Sequence, residues 1–151
     1  VISKNLKAFL DTISFSEGTY GRGDDGYNVL VGGKLFSSYA THPNTVVRLI
    51  INGNEVKSTA AGRYQLLNRY YKHYSALLKL NDFGHDAQDA IAIQQIKECR
   101  ALDLVEAGRF EEAVNKVKNI WASFPGAGYN QHERKMSDLK AFYEKVKRSQ
   151  P

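Results

Sequence analysis

Leu6, Phe9, Leu10 and Ile13 recur at i, i+3, i+4 and i+7, the one-faced spacing of an amphipathic helix, with Ser3 standing where an N-cap belongs. The spacing predicts a helix over residues 3–17. The next position on its apolar face is Glu17, and Gly18 follows at once. Residues 18–26 are glycine-rich and read as loop. The runs "YNVLVGGKLF" and "RLIINGNEVKST" each set β-prone residues on either side of a turn pair, Gly32-Gly33 and Asn52-Gly53. Residues 20–60 therefore read as a small antiparallel β region. Helical patterns follow. One spans Arg63 to Leu80. A second, in "DAQDAIAIQQIKECRAL", is apolar around most of its circumference between Ala87 and Ile96, as a central buried helix would be. "DLVEAG" reads as a short turn closed by Gly108. "RFEEAVNKVKNIWASF" reads as a helix stopped by Pro125-Gly126, and "MSDLKAFYEKVKR" as the last helix. Segregated helices with one β insertion give an α+β class, and the length suits a single domain over residues 1–151.

Composition changes this picture little. Hydrophobic residues make up 42% of the chain, enough for a packed core. No apolar run is long enough to span a bilayer, so no stable membrane insertion is expected. The lone Cys99 excludes an internal disulfide and reads as a small buried hydrophobe in a helix. A formal net charge of +5 favours an anionic partner, but no nucleic-acid motif accompanies it and none is expected to bind.

The chemistry-bearing patterns are few. Gly21 to Gly26 fits G-x-G-x-x-G, but a helix precedes it and a strand follows, the reverse of what a phosphate site needs, and Asp24 and Asp25 would repel a pyrophosphate. His42, His73, His85 and His132 lack metal-ligand spacing and read as surface residues, so neither metal nor cofactor is expected. Glu17 is different. A carboxyl on the apolar face of a helix is partly desolvated, which disfavours its charged form and raises its pKa toward the range of a general acid. Two further segments suit a polymeric substrate. "STAAGRYQLL" offers small residues that let a polymer approach the backbone, with Ser58, Arg63 and Gln65 as candidate contacts. "NIWASFPGAGYNQ" ends in Tyr129 and Asn130, an aromatic to stack on a sugar face and an amide to meet acetamido groups; Trp121 in the same run reads as core.

The segments "FLDTISFSEGT", "GYNVLVGGKLF", "STAAGRYQLL", "DAIAIQQIKE" and "NIWASFPGAGY" together resemble, in collinear order, the lambda-type phage lysozymes (endolysins), a family of lytic transglycosylases. The resemblance covers Lys7 to about Gln131 and fades after Met136. It implies a lysozyme-like fold with a helical lobe, a β lobe over about residues 20–60, and a cleft between them. It implies cleavage of the β-1,4 bond between N-acetylmuramic acid and N-acetylglucosamine, with Glu17 of "SEGT" as the essential acid. It suggests Gln65 and Tyr129 as saccharide contacts, beside Tyr27 and Asn28. Asn28 stands where the family pattern has Asp, which counts against a second catalytic carboxylate there. The implied partner is peptidoglycan glycan strands, the implied state a monomer, and the implied place of action the periplasm after synthesis in the host cytoplasm. A hydrolysing muramidase using Asp24, Asp25 or Glu55 as second carboxylate stays open, as does a non-catalytic wall-binding module.

Overall fold

Helix α1 spans Lys4–Glu17. It starts where the Ser3 hydroxyl accepts the Leu6 N–H at 3.0 Å, satisfying one of the amides a helix end leaves unpaired. It stops at Gly18, whose φ of 81° lies in the left-handed region that an L side chain adopts only at a cost. The computed structural model describes residues 2–126 and 133–151. The chain divides into two compact units, one formed by the segment up to Gly18 and from Ile93 onward, the other by Thr19–Ala92.

In the first unit α1 packs on α6 (Met136–Arg148) and α4 (Leu102–Glu106), and α5 (Phe110–Val117) packs on α4 and α6. The α1 sequence suggests one buried face, yet every residue from Ala8 to Ser14 is buried, because neighbours lie on several sides. Its buried Thr12 hydroxyl is satisfied by the Ala8 carbonyl at 2.7 Å. The Phe9 ring meets Phe110 and Phe124 edge-on at 5.9 and 6.5 Å, and Phe110 meets Tyr143 at 4.5 Å. Each such side chain, fully buried, contributes roughly 1.5–3 kcal/mol. Trp121 is core, as its pattern suggests.

In the second unit β1 (Val47–Ile51) pairs antiparallel with β2 (Asn54–Ser58), Val47 opposite Ser58 and Ile51 opposite Asn54. Asn52 and Gly53 join them with φ of 51° and 78°, both left-handed, as a two-residue hairpin turn of the primed kind demands. Helix α2 (Asn68–Leu77) follows. A core of Leu30, Ala61, Leu66, Tyr71, Tyr74, Phe83 and Ile91 holds the unit. Helix α3 (His85–Glu98) begins in this unit and ends in the other, and all its residues from Ala87 to Ile96 are buried or half-buried. No helix among the described residues is long and apolar enough to cross a membrane.

Several expectations give way. Around Gly32-Gly33 there is a tight turn, with Leu30 N–H bonded to the Lys34 carbonyl at 2.7 Å, but only one bridge, Val29 to Leu35. Val29–Val31 share their backbone groups between this turn and Ala60–Gly62, so no hairpin ladder grows. The helix expected from Arg63 starts only at Asn68. Leu66 and Ala61 exchange both backbone hydrogen bonds, at 2.9 and 3.1 Å, and Gln65 has φ of 54°; both are incompatible with a helix. At the other end Lys79, with φ of 54°, cannot extend it. "DLVEAG" forms the short helix α4 rather than a bare turn, and α5 ends at Val117, well before Pro125. Cys99 is half-buried rather than buried. His42 is no surface residue. It is 3% exposed, its Nδ1 accepts the Asn44 N–H at 2.9 Å, and its Nε2 donates to the Leu66 carbonyl at 2.7 Å. Burial pushes its pKa below the usual value.

Candidate active site

Glu17 is the last residue of α1, and the register that buries Leu10 and Ile13 also turns its carboxyl inward. Ser123, buried in the turn between Trp121 and Phe124, donates its Oγ–H to Glu17 Oε2. The buried Ser16 hydroxyl lies 2.7 Å from Ser123 Oγ. With the Ser123 proton committed to the carboxylate, Ser16 donates to Ser123, and the two hydroxyls form a chain that ends on one carboxyl oxygen. Arg134 completes the surroundings. Its backbone N–H donates to the Ser123 carbonyl at 2.8 Å, its Nε donates to the Ser16 carbonyl at 3.2 Å, and its guanidinium sits 5.4 Å from the Phe15 ring. Phe15 in turn stacks on Phe142 at 4.2 Å.

These groups pull on the Glu17 pKa in opposite directions. Burial raises it; the Ser123 hydrogen bond and the Arg134 charge lower it; burial prevails, and the carboxyl is pushed up to about 7. A carboxylic acid that titrates near neutral pH is present in both forms there and can both donate and accept a proton.

The second unit holds a polar cluster around Asp89. Its Oδ1 accepts the hydroxyls of Tyr27 at 2.8 Å and Tyr64 at 2.6 Å. Arg63 is 3% exposed and already committed. Its Nε donates to the Asp25 carbonyl at 3.0 Å, its Nη2 reaches Asp25 Oδ2 at 3.3 Å, and Tyr20, Tyr27 and Tyr64 surround its guanidinium within 6 Å. Gln88 ties the two ends together, accepting the Arg63 N–H at 2.8 Å and donating to the Tyr27 carbonyl at 3.0 Å. His85 stacks on Tyr27 at 3.8 Å, and its Nε2 lies 2.6 Å from Asp24 Oδ2. Hydrogen bonds from Tyr39 and His85 hold the Asp24 carboxyl below its usual pKa.

The structure thus joins Tyr27 and Arg63 in one network. Asn28 is nearby: its Oδ1 accepts the Asp24 N–H at 2.8 Å. Gln65 donates its amide to the Gly62 and Val29 carbonyls at 2.9 and 3.2 Å. Ser58 lies apart from these, on a cavity lined by Lys57, Asn68 and Arg69. Tyr129 and Asn130 lie outside the described residues. Of the carboxylates weighed as partners for Glu17, Asp25 is held by Arg63, Asp24 by Tyr39 and His85, and Glu55 by Arg48 at 3.7 Å. Sequence reading missed Ser16, Ser123, Arg134 and Asp89. A serine between Trp121 and Phe124 in an apolar run carried a usable signal, since a buried hydroxyl must find a partner. Arg134 and Asp89 carried none.

A family model described as Endolysin matches residues 7–148. The endolysin of Escherichia phage lambda is 47% identical over 149 residues, covering 96% of this chain and 92% of its own length. The endolysin of Escherichia phage P2 is 43% identical over 146 residues, covering 90% and 88%. Among solved structures, bacteriophage lambda lysozyme complexed with a chitohexasaccharide matches with a TM-score of 0.90 at 44% identity, over 97% of this chain and 96% of that one. A second structure of lysozyme from bacteriophage lambda matches with a TM-score of 0.86 at 45% identity and the same coverage. The fold described above is that of the lambda lysozyme.

Proposed function

The chain belongs to the endolysin family, and from that premise we propose that it cleaves peptidoglycan as a lytic transglycosylase, with Glu17 as general acid and then base. The observation that carries this reading is the state of Glu17. Burial keeps its carboxyl protonated to about pH 7, and Ser123 occupies one of its oxygens, which leaves the other to carry the transferable proton. In the first step that proton passes to the oxygen of the bond between N-acetylmuramic acid and N-acetylglucosamine. The C1–O bond breaks, the leaving sugar departs with the proton, and C1 of the muramic acid gains oxocarbenium character. In the second step the C6 hydroxyl of the same sugar attacks C1, and its proton returns to Glu17. A 1,6-anhydro sugar forms, no water enters, and the enzyme regains its starting state. The nucleophile is built into the substrate, so its effective concentration is high and one carboxyl suffices. The engagement of Asp24, Asp25 and Glu55 by cations and hydroxyl donors supports a mechanism that uses Glu17 alone.

Tyr27, Asn28 and Gln65 serve as substrate contacts in this reading. Asn28 retains its amide N–H groups for a sugar acetamido oxygen, and Gln65 retains its Oε1 for a hydroxyl, because the contacts above use only the opposite end of each amide. Arg63 holds Tyr27 and the Thr19–Asp25 turn rather than reaching for sugar. Ser58, Tyr129 and Asn130 are proposed as further contacts. The mass of the products tests the reading. Muropeptides released by this enzyme are expected to be about 18 mass units lighter than hydrolysed ones, the mass of the water excluded by ring closure. Incorporation of labelled water at a new reducing end would make the enzyme a hydrolase and return Asp24, Asp25 and Glu55 to candidacy.

A further inference from the structure

A cavity of about 600 Å³ lies in the second unit, remote in sequence from Glu17. Lys57 of β2 and Arg69 and Lys72 of α2 line it, with Asn44, Ser58 and Asn68 between them. Among the described residues its lining holds no acidic and no aromatic side chain. Among the described residues no carboxylate forms an ion pair with any of the three cations, although the same unit pairs Arg48 and Arg63 with acids. Helix α2 begins at this cavity, and its N-cap is Leu67, which offers no side chain to its first amides; its first turn carries no acid either. The Thr59 hydroxyl accepts the Asn68 N–H at 3.1 Å and the Arg69 guanidinium lies 4.9 Å from the Tyr70 ring, but both partners are neutral, so three like charges converge on one concave surface with no carboxylate among the described residues paired to them.

We propose that this cavity binds the carboxylate-bearing stem peptides that hang from the muramic acid residues of the glycan strand. The proposal rests on the reading that the chain acts on peptidoglycan. A stem peptide supplies what the lining lacks, several carboxylates on a short branch, and its amide bonds match the neutral donors and acceptors of Asn44, Asn68 and Ser58. The volume accommodates a short branch. A nucleic acid is the poorer occupant, because no ring in the lining offers a stacking platform for bases. A lipid surface is poorer too, since a planar array of headgroups does not enter a concavity.

The test is a titration of the full ¹⁵N-labelled chain followed by amide chemical shifts. The probe is a soluble disaccharide tetrapeptide, N-acetylglucosaminyl-N-acetylmuramyl-peptide with free carboxylates. Saturable shifts are expected at residues 57–59 and 67–72, weakening at least threefold between 50 and 300 mM salt. The same compound with its carboxylates amidated is expected to leave these residues unmoved. The double variant Lys57→Gln/Lys72→Gln, its fold verified from the remaining resonances, is expected to bind at least fivefold more weakly. Equal shifts with the amidated compound, or unchanged binding by the double variant, would overturn the proposal. Equally strong saturation by inorganic phosphate, or shifts only with anionic vesicles, would overturn it in favour of a general anion site or a membrane surface. Product analysis on whole cell walls runs separately. Anhydro products without stem-peptide binding would remove this site alone, whereas binding without wall cleavage would remove the enzymatic reading.

Discussion

Glu17 concentrates the tension between stability and chemistry in one side chain. Its pKa in the folded chain, about 7, lies above the reference value of 4.5, so its contribution to stability is fully present below about pH 4.5 and lost as pH rises through 7. Glu17→Gln removes that penalty and keeps the shape of the group. The variant is expected to melt higher than the parent at pH 8, by about 3 °C or more, with the difference vanishing at pH 4 in calorimetric scans. Its turnover is expected to fall by about 10²–10⁴-fold, because an amide neither donates nor receives the transferred proton. In the proposed mechanism Ser123 is a positioning residue acting through that carboxyl. Its hydroxyl favours the ionised form, so Ser123→Ala is expected to raise the Glu17 pKa and shift the alkaline fall of the rate from about pH 7 to a higher value. Ser123→Thr, which restores a hydroxyl, is expected to bring that limb back. A Ser123→Ala variant that lost rate at every pH with no shift of the limb would reduce Ser123 to packing.

At the scale of elements, glycines test why the chain turns where it does. A Cβ added at Gly18 would meet nothing within 4 Å, so Gly18→Ala carries only the cost of the left-handed φ, roughly 1 kcal/mol. At Gly62 the same change adds a clash: the new Cβ would press on the Gln88 amide and sit 2.9 Å from the Phe83 ring, both parts of the second unit's core network. Gly62→Ala is therefore expected to cost at least twice as much as Gly18→Ala in denaturant titrations. The helices α1 and α6 were legible from their apolar periodicity, and α3 from a run apolar around most of its circumference. The hairpin at Asn52-Gly53 was legible because that pair accepts two consecutive left-handed residues. The segment from Arg63 to Leu67 was not. Its tyrosine and leucines keep helical spacing, but Ala61, which pairs with Leu66, is itself bridged to Leu30 about thirty positions away, and local spacing does not encode that contact. The same holds in the site. Glu17 broke the apolar stripe of its own helix and stood out, whereas Asp89 and Arg134 have no local anomaly and matter only through partners far along the chain.

For the whole molecule, two buried titrations act against each other. His42 is held neutral by burial with its pKa below 6.5, so the stability it confers is present above about pH 6.5 and lost as pH falls below that. Glu17 acts in the reverse sense on the alkaline side. His42→Gln is expected to lower the melting temperature at pH 7.5 and to flatten its decline between pH 6.5 and 5; an unchanged slope would show that His42 does not set the acid limb. One further consequence follows from the interruption of the first unit by residues 19–92. Glu17 and the serine that holds it are 106 positions apart, and α1 packs chiefly on the last helix of the chain. A chain growing on the ribosome therefore carries Glu17 early but as an ordinary solvated glutamate, ionised at neutral pH. A stretch of chain that stops short of Ser123 lacks both the hydroxyl and the burial that set the Glu17 pKa, so the carboxyl that titrates near 7 in the folded unit belongs to the packed pair of segments and to neither alone.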